Sequence, residues 1–230
     1  MATRTWKRRL IGLAATLALL AALAAGLYVY ARSWTPPRAD YPMQGIAVSA
    51  VQGSIAWPTL KARGVDFAYL RATGGDGPRD PAFLAYWQDA DSAGIGRGAI
   101  HAYSLCRPVA DQATDFIAIV PREENALPPA IEFAFDPGCR ARPPRDGVVH
   151  DVTLLVEQIE AHAGKRVILH MSRDFEAHYR LATAIDRNLW LDRDFLKPVY
   201  VDRPWVMWQA SGMKRIEGID GPVNWNVIRE

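Results

Sequence analysis

Eight short apolar runs, separated by longer stretches, constrain the fold of this chain more than any other feature. Strand-like runs occur at 45–51 (GIAVSAV), 67–73 (FAYLRAT), 97–103 (RGAIHAY), 129–135 (PAIEFAF), 166–172 (RVILHMS), 188–192 (NLWLD), 205–210 (WVMWQA) and 222–228 (PVNWNVI). Helix-like stretches lie between several of them, at 80–93, 108–119 and 146–163. The last of these spaces Val149, Val152, Leu155, Val156 and Ile159 as one helical face. Repeated strand–helix alternation implies parallel strands with right-handed crossovers, either in a closed or partly closed β/α barrel or in an open doubly wound sheet. Eight strands favour the parallel β/α barrel of the TIM type, whose functional groups gather at the C-terminal ends of the strands.

The N-terminus has a different character. Residues 10–31 carry no charge over 22 positions, enough at about 1.5 Å per residue to cross a hydrocarbon layer of about 30 Å. Arg4, Lys7, Arg8 and Arg9 precede this stretch and are expected to stay cytoplasmic, which exports the rest of the chain. Small residues at 22–25 (ALAA) keep a cleaved signal peptide open as the second reading, although signal cores usually run to only about 7–15 residues. The expected organisation is a basic tail (1–9), a single-pass inner-membrane anchor (10–31), a stiff linker (32–44) and an extracytoplasmic, for instance periplasmic, domain (45–230).

Charge and cysteine usage narrow the function classes. The chain carries a net +2. Residues 1–40 hold six Lys or Arg and one Asp, a net of +5, which leaves 2 − 5 = −3 for residues 41–230. A mildly acidic exported domain without a basic run argues against nucleic-acid binding. The glycine-rich stretch at 73–77 (TGGDG) matches no phosphate-loop pattern, so no nucleotide cofactor is expected. Cys106 and Cys139 lack metal-ligand spacing. In an oxidising compartment they suit a disulfide closing a loop of about 34 residues, with two buried thiols as the alternative.

The motifs GIAVSAVQGSIAW, FAYLRATGG, GAIHAYSLCRP, LPPAIEFAF, GKRVILHMSRDF, WVMWQAS and GIDGPVNWNV, in this order, resemble the family 25 glycoside hydrolases from Gly45 to about Arg229. These are lysozymes that cut between N-acetylmuramic acid and N-acetylglucosamine in peptidoglycan. The resemblance implies an irregular β/α barrel with a groove for a glycan strand, and no metal or other cofactor. It also marks departures. The family's first-strand carboxylate position is Ala47, its Asp-x-Glu pair is Glu132 and Ala134, and its last-strand V-D-x-N reads Val223-Asn224-Trp225-Asn226. Its K-A-T-E-G becomes Arg71-Ala72-Thr73-Gly74-Gly75, and two of its tyrosines are matched by His170 and Ile100.

Glycoside hydrolysis needs an acid to protonate the leaving oxygen, and a second group to stabilise the developing cation. Ala134 occupies the proton donor's position and can supply no proton. Glu132 is the remaining carboxylate, about 6–7 Å earlier along the same strand face. Asp192 and Asp136 are candidate replacements or, alternatively, loop and cap residues. His101, His170 and Glu132 sit on neighbouring strands, but only one of His101 and Ile100 can face inward, and a metal site is not expected. Tyr103, Trp208, Gln209 and Trp225 lie near strand ends and suit sugar stacking and amide contacts, with core packing as the competing role. The reading favoured by the residues is an anchored lysozyme-fold domain that binds glycan strands with hydrolysis lost or strongly impaired. The alternatives are an active muramidase using Glu132 and an envelope scaffold or regulator that contacts other proteins.

Overall fold

In the computed structural model, which describes residues 2–74 and 79–229, the chain divides into two compact units, Met1–Trp34 and Thr35–Glu230. The first is one helix, α1 (Ala2–Ser33). Its Arg9–Ser33 portion is long and apolar enough to cross a membrane, a property that signal sequences share.

The second unit is a closed barrel of eight strands in sequence order: β1 (Gln44–Val48), β2 (Phe67–Gly74), β3 (Gly96–Ala102), β4 (Ala130–Phe133), β5 (Ile168–Met171), β6 (Asn188–Asp192), β7 (Met207–Lys214) and β8 (Val223–Ile228). All eight fall on the apolar runs of the sequence. Strands β1 to β7 pair in parallel, whereas β8 runs antiparallel to both β7 and β1. This is the irregularity in the barrel. Between Lys214 and Val223 the connection is too short for the dozen or more residues of a parallel crossover, so the chain turns back as a hairpin.

Helices α3 (Phe83–Ser92), α4 (Val109–Ile119) and α5 (Arg145–Ala163) fill the three helix-like stretches. On α5 the buried stripe is Val148, Val152, Leu155, Val156 and Ile159, starting one residue before the expected Val149, which is half-buried. Gly164 ends α5 in the left-handed region at φ 67°. The short helices α2 (Trp57–Ala62), α6 (Arg173–Tyr179) and α7 (Leu181–Ala184) span too few turns to leave a periodic signal.

Residues 35–43, expected as a linker, belong to the barrel unit. Tyr41 is buried edge-on against Trp208, Gln44 donates to the carbonyls of Pro36 and Tyr41, and Arg38 is tied to Asp66 and to the carbonyls of Pro42 and Gly64. A proline-rich segment carries no periodicity that would reveal such docking.

Inside the barrel, one side chain from most strands forms a floor: Ala47, Phe67, Tyr69, Ile100, Ala130, Ile168, Trp190 and Met207. The Tyr69 ring fits because β3 presents Gly98 opposite it, where a Cβ would overlap the ring.

Candidate active-site groove

Side chains alternate across a strand, so the residue two positions beyond each floor residue also points inward, nearer the C-terminal mouth. Stepping on from Tyr69, Ala130, Ile168, Trp190 and Met207 gives Arg71, Glu132, His170, Asp192 and Gln209. The register agrees, with Glu132 opposite His170, and Asp192 opposite Gln209. From β1 and β8, Ala47 and Asn224 face each other in the same way. The floor of apolar side chains is thus capped by a polar layer.

Two cavities open on that layer. One, of about 80 Å³, is bordered by Ala47, Arg71, Ile100, Glu132, His170 and Asn224. The other, of about 200 Å³, is bordered by Arg71, Tyr103, Ser104, Glu132, Ala134 and Asp136. Arg71 and Glu132 belong to both, and Arg71 Nη2 donates to Glu132 Oε2 in a partly buried ion pair. This bridge between β2 and β4 separates the two spaces. All four positions marked by the family resemblance, Ala47, Glu132, Ala134 and Asn224, therefore border one bipartite groove.

His170 is held from below and from the side. Its ring stacks on Trp190 at 3.9 Å with 13° between the planes, and its Nε2 lies 2.6 Å from Asp192 Oδ1. Burial works against protonation of His170, but the charge and hydrogen bond of Asp192, aided by the charge of Glu132, outweigh it and raise its pKa. Its Nδ1 is buried without a hydrogen-bond partner. Asp192 is fixed in turn by its strand: Tyr200 Oη accepts from the Asp192 amide at 2.9 Å and donates to the Met171 carbonyl at 2.8 Å. Neither Asp192 nor Asp136 pairs with Glu132. Asp136 closes a turn by accepting from the Gly138 amide at 2.7 Å.

The parity that brings these groups together excludes others. Ile100 faces inward, so His101 points outward to α4, where Nδ1 meets Thr73 Oγ1 at 2.7 Å and Nε2 meets Gln112 Oε1 at 3.1 Å. Gln112 donates its amide hydrogens to the carbonyls of Ser104 and Arg107, so its oxygen accepts and His101 carries its proton on Nε2. Burial lowers the His101 pKa to about 4. His101 thus lies on the opposite side of the sheet from His170 and Glu132, and among the described residues no group of three or more metal-ligating side chains gathers.

Two aromatic residues expected in the groove are likewise elsewhere. Trp208 pairs with Leu191 on the outer face of the barrel, packs edge-on against Tyr41 and Trp205, and donates to the Arg193 carbonyl. Trp225 follows the inward Asn224 and so faces outward, donating to Gln44 Oε1. Tyr103 does border the larger cavity, although its ring leans on Phe133 and Phe175 and burial raises its pKa. Gln209 points into the barrel with its Oε1 buried and unpartnered.

Cys106 and Cys139 form a disulfide across 5.8 Å between Cα atoms. It joins the loop after β3 to the loop after β4, the two loops that frame the larger cavity. Sequence reasoning overlooked Arg71 as the partner of Glu132 and Trp190 as the platform for His170. The available signal was strand parity: each lies on the inward face of its run, and an arginine inside FAYLRAT is unexpected unless it meets a charge.

A closed β/α barrel with a polar groove at its strand ends is an architecture that many classes of enzyme share. The match to Glycosyl hydrolases family 25 covers residues 46–219, and the chain belongs to that family. Among solved structures it is similar to a family 25 glycosyl hydrolase from Bacillus anthracis, with a TM-score of 0.77 and 29% identity over 86% of this chain and 92% of that one. A bacterial lysozyme from Streptomyces coelicolor aligns with a TM-score of 0.72 and 25% identity over 82% and 92% of the two chains. By sequence, the chain is 28% identical to the Escherichia coli K12 protein YegX over 83% of this chain and 71% of that one. It is also 38% identical to Lysozyme M1 of Streptomyces globisporus, over 41% of this chain and 34% of that protein.

Proposed function

We propose that the chain is a membrane-anchored family 25 domain, facing the cell envelope, that binds peptidoglycan glycan strands with hydrolysis lost or strongly impaired. The observation that carries this reading is the groove itself. It keeps the family's position and polar lining, yet of the four positions marked by resemblance only Glu132 is an acid, and Arg71 holds it.

The chemistry supports the same conclusion. Ala134 borders the larger cavity but has no proton to give. Glu132 accepts from a guanidinium that does not deprotonate, so no proton can be drawn from its partner. His170 offers no ready substitute, because Nε2 is engaged with Asp192 and Nδ1 is buried from solvent. Loss of general acid catalysis typically lowers the rate by about 10²–10⁴-fold, or roughly 3–5 kcal/mol of barrier. Binding can outlast that loss, since the groove still presents the amide of Asn224 and the ring of Tyr103 near strand ends. Support for the anchor comes from the uncharged helix and the basic residues before it.

The test incubates the full chain, in a neutral detergent, with purified peptidoglycan and follows both co-sedimentation and muropeptide release. Sedimentation without release is the expected result. Release that vanishes in Glu132→Gln would overturn the reading in favour of an active muramidase, and absence of both would favour a scaffold. A variant combining Ala47→Asp, Glu132→Asp, Ala134→Glu and Asn224→Asp should gain measurable release if the groove retains its glycan-binding shape.

A further inference from the structure

The smaller cavity of the groove carries a set of charges that suits an anion better than a neutral sugar face. Two positions at which the resemblance implies carboxylates border it as Ala47 and Asn224, so that among the described residues Glu132 is its one acid. Arg71 and His170 border it as well. Arg71 commits Nη2 to Glu132, and the guanidinium fork has further donors to offer. His170 is faced by Asp192 from β6, Glu132 from β4 and Arg71 from β2, with the Trp190 ring stacked on it. Burial and the Arg71 charge oppose its protonation, and the two acids outweigh them, so its pKa is raised. Below that raised value both ring nitrogens carry protons, and Nδ1 is then a buried donor without an acceptor, a costly state that a ligand oxygen would relieve.

Size limits what the cavity can take. It measures about 80 Å³, whereas one water needs about 10–15 Å³. A carboxyl group and the carbon that bears it fit. A glycan strand of peptidoglycan offers one such group. Its N-acetylglucosamine units are uncharged, and N-acetylmuramic acid adds a lactyl ether whose carboxyl is anionic only where no peptide is joined to it. With a stem peptide in place the same carboxyl is a neutral amide.

The geometry points to a binding site for the free lactyl carboxylate of N-acetylmuramic acid, seated in the smaller cavity against Arg71 and the Asn224 amide, so that the groove selects glycan strands stripped of their peptides. This rests on the reading of the groove as a glycan binder. It gives the departures at 47 and 224 a common effect, since both remove negative charge that would repel the ligand, while an arginine suits a carboxylate through its paired donors.

The experiment titrates the full chain, in neutral-detergent micelles, with three oligosaccharides of equal length, read by calorimetry. They are peptide-free strands of alternating N-acetylglucosamine and N-acetylmuramic acid, the same strands carrying stem peptides, and N-acetylglucosamine oligomers. The peptide-free strand should bind at least about tenfold tighter than either of the others, the worth of one charge-assisted hydrogen bond. Asn224→Asp, which returns a negative charge to the cavity wall, should abolish that preference, read as a ratio of affinities so that a general loss of binding cancels. Arg71→Met, which removes a cation instead, should give the same loss. Arg166→Gln, which removes an exposed cation before the start of β5, should leave the ratio unchanged. Equal affinity for peptide-free and peptide-bearing strands, or a preference that survives both cavity variants, overturns the proposal. O-methyl-D-lactate, the lactyl ether without its sugar, separates this inference from the glycan reading. It should shift the ring-proton NMR signals of His170, assigned by their loss in His170→Gln. A shift with no strand bound overturns the glycan source and assigns the cavity to a free small carboxylate, whereas neither shift nor strand binding overturns both.

Discussion

Breaking the Arg71–Glu132 bridge gives a direct measure of what occupies the centre of the groove. Consider Glu132→Gln, Arg71→Met and the two together. The side chains are 31% and 22% exposed, between the surface and buried regimes. Opposite unit charges about 4 Å apart attract by about 4 kcal/mol at an effective dielectric of about 20. Desolvation, side-chain ordering and residual water contact offset more than half of this, as they do for exposed pairs. A net coupling of about 1–2 kcal/mol remains. Glu132→Gln leaves a guanidinium in the cavity wall without its counter-charge, and Arg71→Met leaves a carboxylate there, so each alone should destabilise by about 2 kcal/mol. The double variant should lose less than the sum. Urea midpoints of the full chain in detergent, with unchanged denaturant slopes, report all four corners of the cycle. Single effects that add within about 0.5 kcal/mol would refute the bridge as an energetic unit. Muropeptide release should stay at background throughout; release appearing in Arg71→Met would show that the bridge restrains a competent acid and would contradict the proposed function.

Four further outcomes follow from the structure. The His101 pKa drops from 6.5 to about 4 on folding, so the unfolded chain binds the extra proton first and stability should fall by about 3 kcal/mol between those pH values; urea midpoints should show a shallower fall for His101→Gln. His170 has the opposite sign, since its raised pKa gives stability that is present below 6.5 and lost as pH rises through the folded value; His170→Gln should remove that alkaline loss from the same measurements. Gly74→Glu, which restores another family acid, should destabilise by more than 2 kcal/mol in a urea melt, because Gly74 sits at φ 100° and its Cβ would overlap the Ala102 carbonyl oxygen. Reducing the Cys106–Cys139 bond, which spans a sequence separation of 33, should lower stability by about 3–4 kcal/mol, read as the difference between oxidised and reduced urea midpoints.

The eight strands were legible because most of their positions are buried, one face inside the barrel and the other beneath the surrounding elements, which forces a short apolar run bounded by turn residues. Helices α3, α4 and α5 were legible for the same reason at a different period. Of residues 73–77, which matched no phosphate-loop pattern, 75–77 lie outside the described residues. The antiparallel β8 was hidden, since a strand's direction is not written in its composition. So was the docking of 35–43, where Pro36, Tyr41 and Gln44 act through contacts 3–8 residues apart that follow no repeat.

Within the site, sequence alone determined what one position cannot supply: an alanine at 134 has no proton to donate in any fold. It also determined the membership of the inward layer up to one binary choice per strand, because alternation ties Glu132 to Ala130 and Asp192 to Trp190. Only the tertiary structure made that choice. It turned Ile100 in and His101 out, put Trp208 and Trp225 on the outer face, and brought Arg71 across from β2 to Glu132 on β4. The reason is physical. Local alternation is a property of the chain, but which face becomes the interior, and which charges meet across it, depends on how eight strands close around a shared core.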